Sequence, residues 1–402
     1  MPRVLDDFRR TQLAIAALFC FLGFQYATWA SRIPALKARL DLNAGEVGLL
    51  LMATGVGAVA SFPLIAYLMR RLGARLLALV SGLCLVGILF ALSAAPNYPV
   101  ALLVLCADGV AVGCLNVAMN AQGAALEAAH GRTAMTQLHA TFSAGSFLAA
   151  LVSSGMNALT SDLVPHFAVA SVVLVLLLGG ARLRLLPDDP KDQQPAADQG
   201  ERKGGRRPRW LTKPTLVMVW LGVAMVFGEV VEGAMNDWSA LYLKDIADAS
   251  SQVAPLGIAV VSGTMVVARL FGDSWRSRWG DARVVRVGSA VAGTGLALAL
   301  LAGGVVPALI GFACVGLGVA AVAPCLYVAA AAEGPDALSL VASMGTTGLL
   351  AGPALIGFVA GLSDLAWGMG IVAASAVIVS LCTTRLRWTP TKEPSPLAAD
   401  PA

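Results

Sequence analysis

Two glutamates and an asparagine lie close together in the stretch FGEVVEGAMNDW, residues 227–238, which ends the apolar segment beginning LVMVWLGVAMV. Glu229, Glu232 and Asn236 are spaced i, i+3, i+7 and so share one face of a helix. Two carboxylates this close, away from bulk water, resist being ionised together, so the pattern predicts a site that holds a proton. We expect both glutamates to face a central cavity; the alternative is an ion pair that only packs helices. Asp237 is expected at the solvated outer end of the same helix.

Other polar residues fall inside apolar segments, where an ionisable group costs about 2.5–3.5 kcal/mol and needs a partner, water or a cavity. The candidates for binding a solute or a proton are Gln25, Trp29, Asp108, Asn116, Asn120 and His139. The two asparagines share a helix face and could bind a polar solute or join two helices. Trp29 could stack on a ring or belong to an aromatic belt. His139 could titrate near neutral pH, and Arg269 could keep one glutamate ionised.

The composition indicates that these residues lie in a membrane. Of the 402 residues 57% are hydrophobic and only 13% are charged, against about 25% charged residues in soluble domains. We predict an all-α polytopic membrane protein with twelve transmembrane helices, since each apolar run has roughly the 20 residues that cross a bilayer. The predicted spans are 11–31, 45–69, 75–95, 99–127, 136–159, 165–185, 214–240, 253–275, 284–304, 306–332, 338–361 and 365–386.

The distribution of basic residues predicts the orientation. With the N-terminus in the cytoplasm, the inside segments hold 23 Lys and Arg residues and the outside segments hold 4. Such a bias is typical of inner-membrane proteins with both termini cytoplasmic. The net charge of +4 gives no reason to expect nucleic acid as a partner.

The chain reads as two pseudo-symmetric halves of six helices each. Residues 186–210, LPDDPKDQQPAADQGERKGGRRPRW, have no apolar face and predict a disordered cytoplasmic linker. The expected division is 1–186 for the first half, 187–213 for the linker, 214–388 for the second half and 389–402 for a disordered tail. Three pairs of segments recur in the same order, among them GFQYATWAS (23–31) with GAMNDWSA (233–240), matched at Trp29 and Trp238.

These repeats resemble one known family. YLMRRLGAR (67–75) is similar to the loop between helices two and three of the major facilitator superfamily, and RLFGDSWRSRWG (269–280) is its second copy. NVAMNAQGAALE, MTQLHATFSAGSFLAAL and SMGTTGLLAGPALIGFVAG are similar to the fucose-permease-like branch and its bacterial inner-membrane relatives. The resemblance covers essentially the whole chain. It implies a gating role for Arg70, Arg71, Gly73, Arg75, Arg269, Asp273, Arg278 and Gly280.

The chain departs from the family pattern at two places. The family usually has an Asp where this chain has Arg70, so a charge latch between the halves is expected to depend more on the second copy, with Asp273. Fucose permeases carry a Glu in an E-x-x-x-N pattern on helix four, where this chain has Asn116 followed by Asn120. The missing acid counts against fucose as the substrate.

The predicted function is secondary active transport of a small polar, sugar-like solute across the inner membrane, coupled to protons and powered without ATP, since no G-x-x-x-x-G-K-[ST] loop occurs. A proton-driven drug or metabolite exporter is the alternative, and a non-transporting sensor is a remote one. The three histidines give no nucleophile-and-base set, so we expect no enzyme. We also expect no cofactor and no metal, a monomer, and as partners the solute, protons and the bilayer.

Overall fold

A computed structural model describes residues 6–187, 215–386 and 388, without the side chains of Asp273 and Pro335. The predicted linker, 187–213, lies outside the described residues apart from Pro187. The predicted tail, 389–402, lies outside them entirely. The described chain is helical throughout: α1 Asp7–Ala30, α2 Ile33–Leu40, α3 Ala44–Ala60, α4 Phe62–Ala94, α5 Tyr98–His130, α6 Met135–Leu159, α7 Leu163–Arg182, α8 Leu216–Asp245, α9 Leu256–Trp279, α10 Asp281–Ala302, α11 Val305–Val319, α12 Val322–Glu333, α13 Pro335–Leu362 and α14 Leu365–Thr383.

The predicted polytopic membrane fold is confirmed. Within the described ranges, ten helical segments are long and apolar enough to cross a membrane, and two shorter apolar helices, Ala44–Ala60 and Leu256–Gly272, accompany them. The large hydrophobic side chains exposed on the outside of the bundle suit contact with lipid tails. The structure thus agrees with twelve crossings.

Two predicted spans are interrupted. The prediction treated 45–69 and 306–332 as continuous helices, but the structure separates α3 from α4 at Ser61 and α11 from α12 at 320–321. A proline follows each break, Pro63 and Pro324. Because proline has no N–H and its ring clashes with the carbonyl four residues earlier, a helix is readily broken there.

A sharp turn joins the second and third crossings. α4 runs through Gly73, whose φ of 75° and ψ of 169° are not helical, so α4 consists of two arms. Gly280, between α9 and α10, has nearly the same backbone angles, φ 77° and ψ 151°. Only glycine adopts this region readily. The matching turns support the internal repeat, as do Asp41 and Asp248, which both have a φ of 53°.

The two groups of helices, α1–α7 and α8–α14, meet mainly along two helix pairs, α3 with α13 and α6 with α9, and α1 and α2 also contact α8. We call the end of the bundle that carries Asp6, Pro187, Thr215 and Leu386 the terminus side, and the end with residues 41–43 and 246–255 the far side. Glycines bring α3 and α13 together near the far side, where a Cβ added to Gly357 would lie 2.7 Å from Cα of Gly48.

Polar contacts also close the far side between the two groups of helices. Ser154 Oγ donates to the carbonyl of Gln252, and Asn157 Nδ2 donates to the carbonyl of Ser251, each at 2.6 Å. Further contacts of this kind join Lys37 to Asp245 and Tyr26 to Asp237. The far side is therefore sealed in this conformation.

Candidate functional site

A cavity of about 600 Å³ lies between the two groups of helices. Its lining includes Met135 and Thr136 at the start of α6, and Arg276 near the end of α9. Those positions are on the terminus side. The cavity therefore opens toward the terminus side and is closed toward the far side.

An ion pair lies in the wall of this cavity. Arg269 Nη2 of α9 donates to Glu232 Oε1 of α8 at 3.0 Å. The other terminal nitrogen, Nη1, donates to the hydroxyl of Ser143 on α6, which belongs to the first half. The side chains of Arg269 and Glu232 are only 15% and 27% exposed. One guanidinium thus connects an acid of the second half to a hydroxyl of the first.

Glu229 lies beside this pair but does not share in it. It lines the same cavity, and it is close enough to Glu232 and Arg269 to interact with their charges. No hydrogen bond to its carboxyl is found among the described residues, and Tyr327 of α12 is its neighbour across the cavity wall. Both glutamates line the cavity, and the structure distinguishes them: Glu232 is paired with a cation and Glu229 is not.

Further predicted residues reach the cavity from the first half. His139 of α6 lines it, packs edge-on against Phe19 at 5.0 Å between ring centroids, and interacts with the charges of Arg269 and Glu232. Asn116 of α5 also lines the cavity. Asn120 instead donates to the carbonyl of Asn116 at 2.8 Å and to its Oδ1 at 2.7 Å. Asn120 therefore orients Asn116 rather than facing the cavity itself.

Asn236 is turned onto its own helix, since its Nδ2 donates to the carbonyl of Glu232 at 3.0 Å. The apolar part of the lining includes Phe19, Leu22, Met119, Phe142 and Pro324. The cavity thus combines a charged wall formed by α8 and α9 with an apolar wall.

Three predicted residues lie behind the cavity in this conformation. Gln25 and Asp108 are completely buried, and Gln25 Nε2 donates to Asp108 Oδ1 at 2.9 Å. Trp29 is buried as well and packs edge-on against Tyr26, with ring centroids 5.3 Å apart. Contact of these residues with a solute remains a prediction.

The expectation for Asp237 is wrong. Its side chain does not reach solvent: it is 5% exposed and accepts a hydrogen bond from the Tyr26 hydroxyl. The reason is that α8 continues to Asp245, so that Asp237 lies about 12 Å short of the helix end at 1.5 Å per residue. No local sequence pattern indicates this contact, because Tyr26 is on the other half of the chain.

The loop residues with a predicted gating role lie on the terminus side. Arg75 Nη2 donates to the carbonyl of Arg182 at 3.0 Å, and Arg71 lies over the ring of Tyr67 at 5.6 Å. In the second copy Arg276 holds Asp281 by two contacts, 2.9 and 3.2 Å. Arg70 and Arg278 are exposed. The side chain of Asp273 is outside the described part, and a latch between the halves stays a prediction.

The fold and the cavity between its halves define a membrane transporter. A family model described as the Major Facilitator Superfamily matches residues 13–336, and the chain belongs to that superfamily. An uncharacterised MFS-type transporter of Yersinia pestis is 32% identical over 384 residues, which cover 92% of this chain and 94% of that protein.

Solved structures share the fold. That of a D-xylose-proton symporter has a TM-score of 0.74 and 16% identity, covering 96% of this chain and 98% of that one. FucP in the outward conformation has a TM-score of 0.62 and 14% identity, covering 95% and 100%. The chain is a transporter, not an enzyme.

Proposed function

We propose that this protein is a proton-coupled secondary transporter that moves a small polar solute across the bacterial inner membrane by alternating access. The observation that carries the proposal is the group formed by Glu229, Glu232 and Arg269 in the cavity between the halves. Two acids lie beside one cation there, and only Glu232 contacts it. The group is neutral when one carboxyl holds a proton.

The arrangement points to Glu229 as the proton carrier. Glu232 already has a cationic partner in Arg269, whereas Glu229 has no described hydrogen bond. A charged Glu229 would add a second negative charge in a partly dehydrated cavity. Loss of its proton would draw Arg269 toward Glu229 and weaken the contact with Ser143 on the other half. Proton binding and the packing of the halves would thereby be coupled.

The cavity lining supports a substrate class. Asn116, Thr136 and His139 offer hydrogen-bonding groups from one half, opposite the acids of the other. Phe19 and Phe142 supply an apolar surface. We infer a solute with several hydroxyl or amide groups and one apolar face, small enough for about 600 Å³. A sugar-like solute fits that description, and the likeness to a D-xylose-proton symporter agrees with it.

The orientation follows from the charge bias. We propose that the terminus side faces the cytoplasm, with residues 1–186 and 214–388 as the two halves and the linker and tail inside. The cavity described above would then be open to the cytoplasm. A monomer suffices for this cycle, since both walls of the cavity come from one chain.

The second candidate is export by proton antiport. The apolar wall of Phe19, Leu22, Met119, Phe142 and Pro324 favours it, because exporters bind less polar molecules. The two candidates differ in which direction a proton gradient moves the solute.

A thermal-shift screen of the purified protein against sugars, polyols, nucleosides, organic acids and cationic drugs tests the substrate class. A ligand that binds only the folded state at a hundred times its Kd stabilises it by about 2.7 kcal/mol. We expect stabilisation by a neutral polyhydroxy compound. Stabilisation by cationic drugs alone would favour the exporter. The compound found is then followed in proteoliposomes with a pH gradient imposed in either direction.

A further inference from the structure

A second pair of buried acids lies outside the cavity, toward the far side. Asp237 of α8 accepts a hydrogen bond from the hydroxyl of Tyr26 on α1. Asp108 of α5 lies within electrostatic reach of the same Tyr26. Both acids are at least nine-tenths buried, and Asp108 Oδ2 has no partner among the described atoms. α1 thus separates two carboxyls in a region that water does not reach.

The Tyr26–Asp237 contact crosses between the halves. Tyr26 belongs to the first half and Asp237 to the second, and they meet on the sealed side of the cavity. When a carrier of this fold opens its far side, these two side chains must separate. Opening would therefore break the hydrogen bond and expose Asp237 to water.

No cation compensates Asp237 among the described residues. The charged groups on α8 and on the elements packed against it are engaged elsewhere, line the cavity or lie on the terminus side. They are Lys37 with Asp245, Arg32 with His166, Arg39 with the carbonyls of Leu92, Ser93 and Ala95, Lys244 with the carbonyl of Ala249, Arg269 with Glu232, Glu229 in the cavity, Asp364 with the backbone N–H of Trp367, Arg276 with Asp281, and Asp7, Arg9, Arg10, Arg278, Glu333 and Asp336 at the terminus-side ends of α1, α9, α12 and α13. The Tyr26 hydroxyl is thus the one described donor to the Asp237 carboxyl.

A buried carboxyl in such surroundings is far more stable neutral than charged. A single neutral donor does not replace the hydration of a carboxylate. A protonated carboxyl can keep its hydrogen bond with the tyrosine hydroxyl, as acceptor or as donor. The sealed far side therefore favours the protonated acid, and the open far side favours the ionised one.

We propose that Asp237 is a second proton-binding site, which takes a proton from far-side solvent as the halves close and holds it against Tyr26 while they stay closed. The proton adds to the carboxylate on closing and returns to water on opening. This site makes closure of the far side depend on pH even without substrate. The inference rests on the proposed alternating-access cycle but not on Glu229 as the carrier.

Hydrogen–deuterium exchange of the full-length protein in lipid nanodiscs tests it, without substrate. Peptides covering 31–44 and 246–256 report far-side opening. Peptides covering 170–180 of α7, which packs mainly against α1 and α4 of its own half, serve as the internal reference. Exchange is compared at about pH 5.5 and about pH 8.5, on either side of the range in which buried carboxyls commonly titrate, after correction for the intrinsic exchange rate. The wild type is expected to be protected at the lower pH and to lose that protection at the higher pH.

Two variants separate Asp237 from other acids. In Asp237→Asn, a neutral group occupies the site at every pH, so the far-side peptides are expected to be protected at both. The matched control is Asp245→Asn, which removes the other described cross-half acid, one that is partly exposed and paired with Lys37. It should keep the wild-type dependence on pH.

Retention of the wild-type pH dependence by Asp237→Asn, or its absence from the wild type, would overturn the inference. If Asp237→Asn does not fold, Tyr26→Phe decides instead. That variant keeps the acid but loses the hydroxyl, and it should be less protected than the wild type at the lower pH while remaining pH-dependent. Protection equal to the wild type would contradict the proposal. The comparison is made in a Glu229→Gln background as well, which removes titration at Glu229, so that the outcome does not depend on whether Glu229 couples transport to protons.

Discussion

The guanidinium of Arg269 is shared between the halves of the protein: Nη2 contacts Glu232 on α8 at 3.0 Å, and Nη1 contacts Ser143 on α6. A single side chain thus connects the charge state of the cavity to the packing of α6 against α9. Glu229 lies beside it without a described hydrogen bond. A change of protonation at Glu229 can therefore act on the contact between halves through Arg269.

Two replacements of Arg269 distinguish the effect of its positive charge from the effect of its two hydrogen-bonding nitrogens. Arg269→Gln leaves both acids without their cation, and we expect loss of transport and a cost of about 1–3 kcal/mol, since charged hydrogen bonds contribute that much and the site is partly exposed. Arg269→Lys keeps the charge but cannot donate from two terminal nitrogens to Glu232 and Ser143, so this variant should transport slowly. Melting temperature and uptake measure these effects. Full uptake by Arg269→Gln would contradict this role.

The close approach of Gly48 and Gly357 should set how tightly the far side closes. A Cβ on Gly357 would meet backbone at 2.7 and 2.8 Å, and backbone cannot move aside like a flexible side chain. Gly357→Ala is therefore expected to hold α3 and α13 apart, to slow transport and to speed hydrogen exchange in residues 41–43. Gly370→Ala, where nothing lies within 4 Å, is the control and should behave like the wild type. Equal exchange in both variants would refute this role for the glycines.

Arg32 should matter for stability rather than for substrate binding. It is 3% exposed, and it donates to His166 Nδ1 at 3.0 Å, to the carbonyl of Asp162 at 3.2 Å and to Asn157. In Arg32→Lys one ammonium cannot reach all three acceptors, and we expect a loss of about 1.5–3 kcal/mol of unfolding free energy. The Kd of the identified substrate should not change. Lys37→Met, which removes an exposed pair, should cost no more than about 1 kcal/mol. A raised Kd in folded Arg32→Lys protein would instead show that Arg32 takes part in substrate binding.

The proposed topology predicts which positions a reagent can reach from outside intact cells. A cysteine at Ser161, on the exposed far side, should react with a membrane-impermeant thiol reagent. A cysteine at Gln194, in the linker that the charge bias places in the cytoplasm, should react only after the membrane is permeabilised. Labelling of Gln194→Cys in intact cells would contradict the proposed orientation and place the linker outside the cell.

The sequence was sufficient for the architecture because the bilayer imposes simple rules. Apolar length and basic loops predicted twelve crossings in two repeats, and the matching turns at Gly73 and Gly280 support the repeat. Breaks inside helices were harder, since proline is often accommodated by a kink. The predicted spans 45–69 and 306–332 contain Pro63 and Pro324, and each is divided in the structure.

The candidate site was predictable in part. The spacing of Glu229 and Glu232 indicated a common helix face, and Arg269 stood out as a basic residue within a span. Which acid it binds depends on the rotation of α9 against α8, which no local pattern encodes. The same holds for Tyr26 and Asp237, which lie 211 residues apart. Contacts between halves arise from packing, and a single sequence does not reveal them.

Transport by Glu229→Gln in proteoliposomes is the most direct test of proton coupling. With the solute identified by the thermal-shift screen, uptake is measured once under an imposed pH gradient and once as counterflow, in which labelled solute exchanges against unlabelled solute without a gradient. A glutamine stays neutral, so the variant cannot release a proton. We predict that Glu229→Gln retains counterflow and loses gradient-driven accumulation, while Glu232→Gln, which removes the ion pair with Arg269, is impaired in both. Accumulation by Glu229→Gln at the wild-type level would contradict its role as the proton carrier.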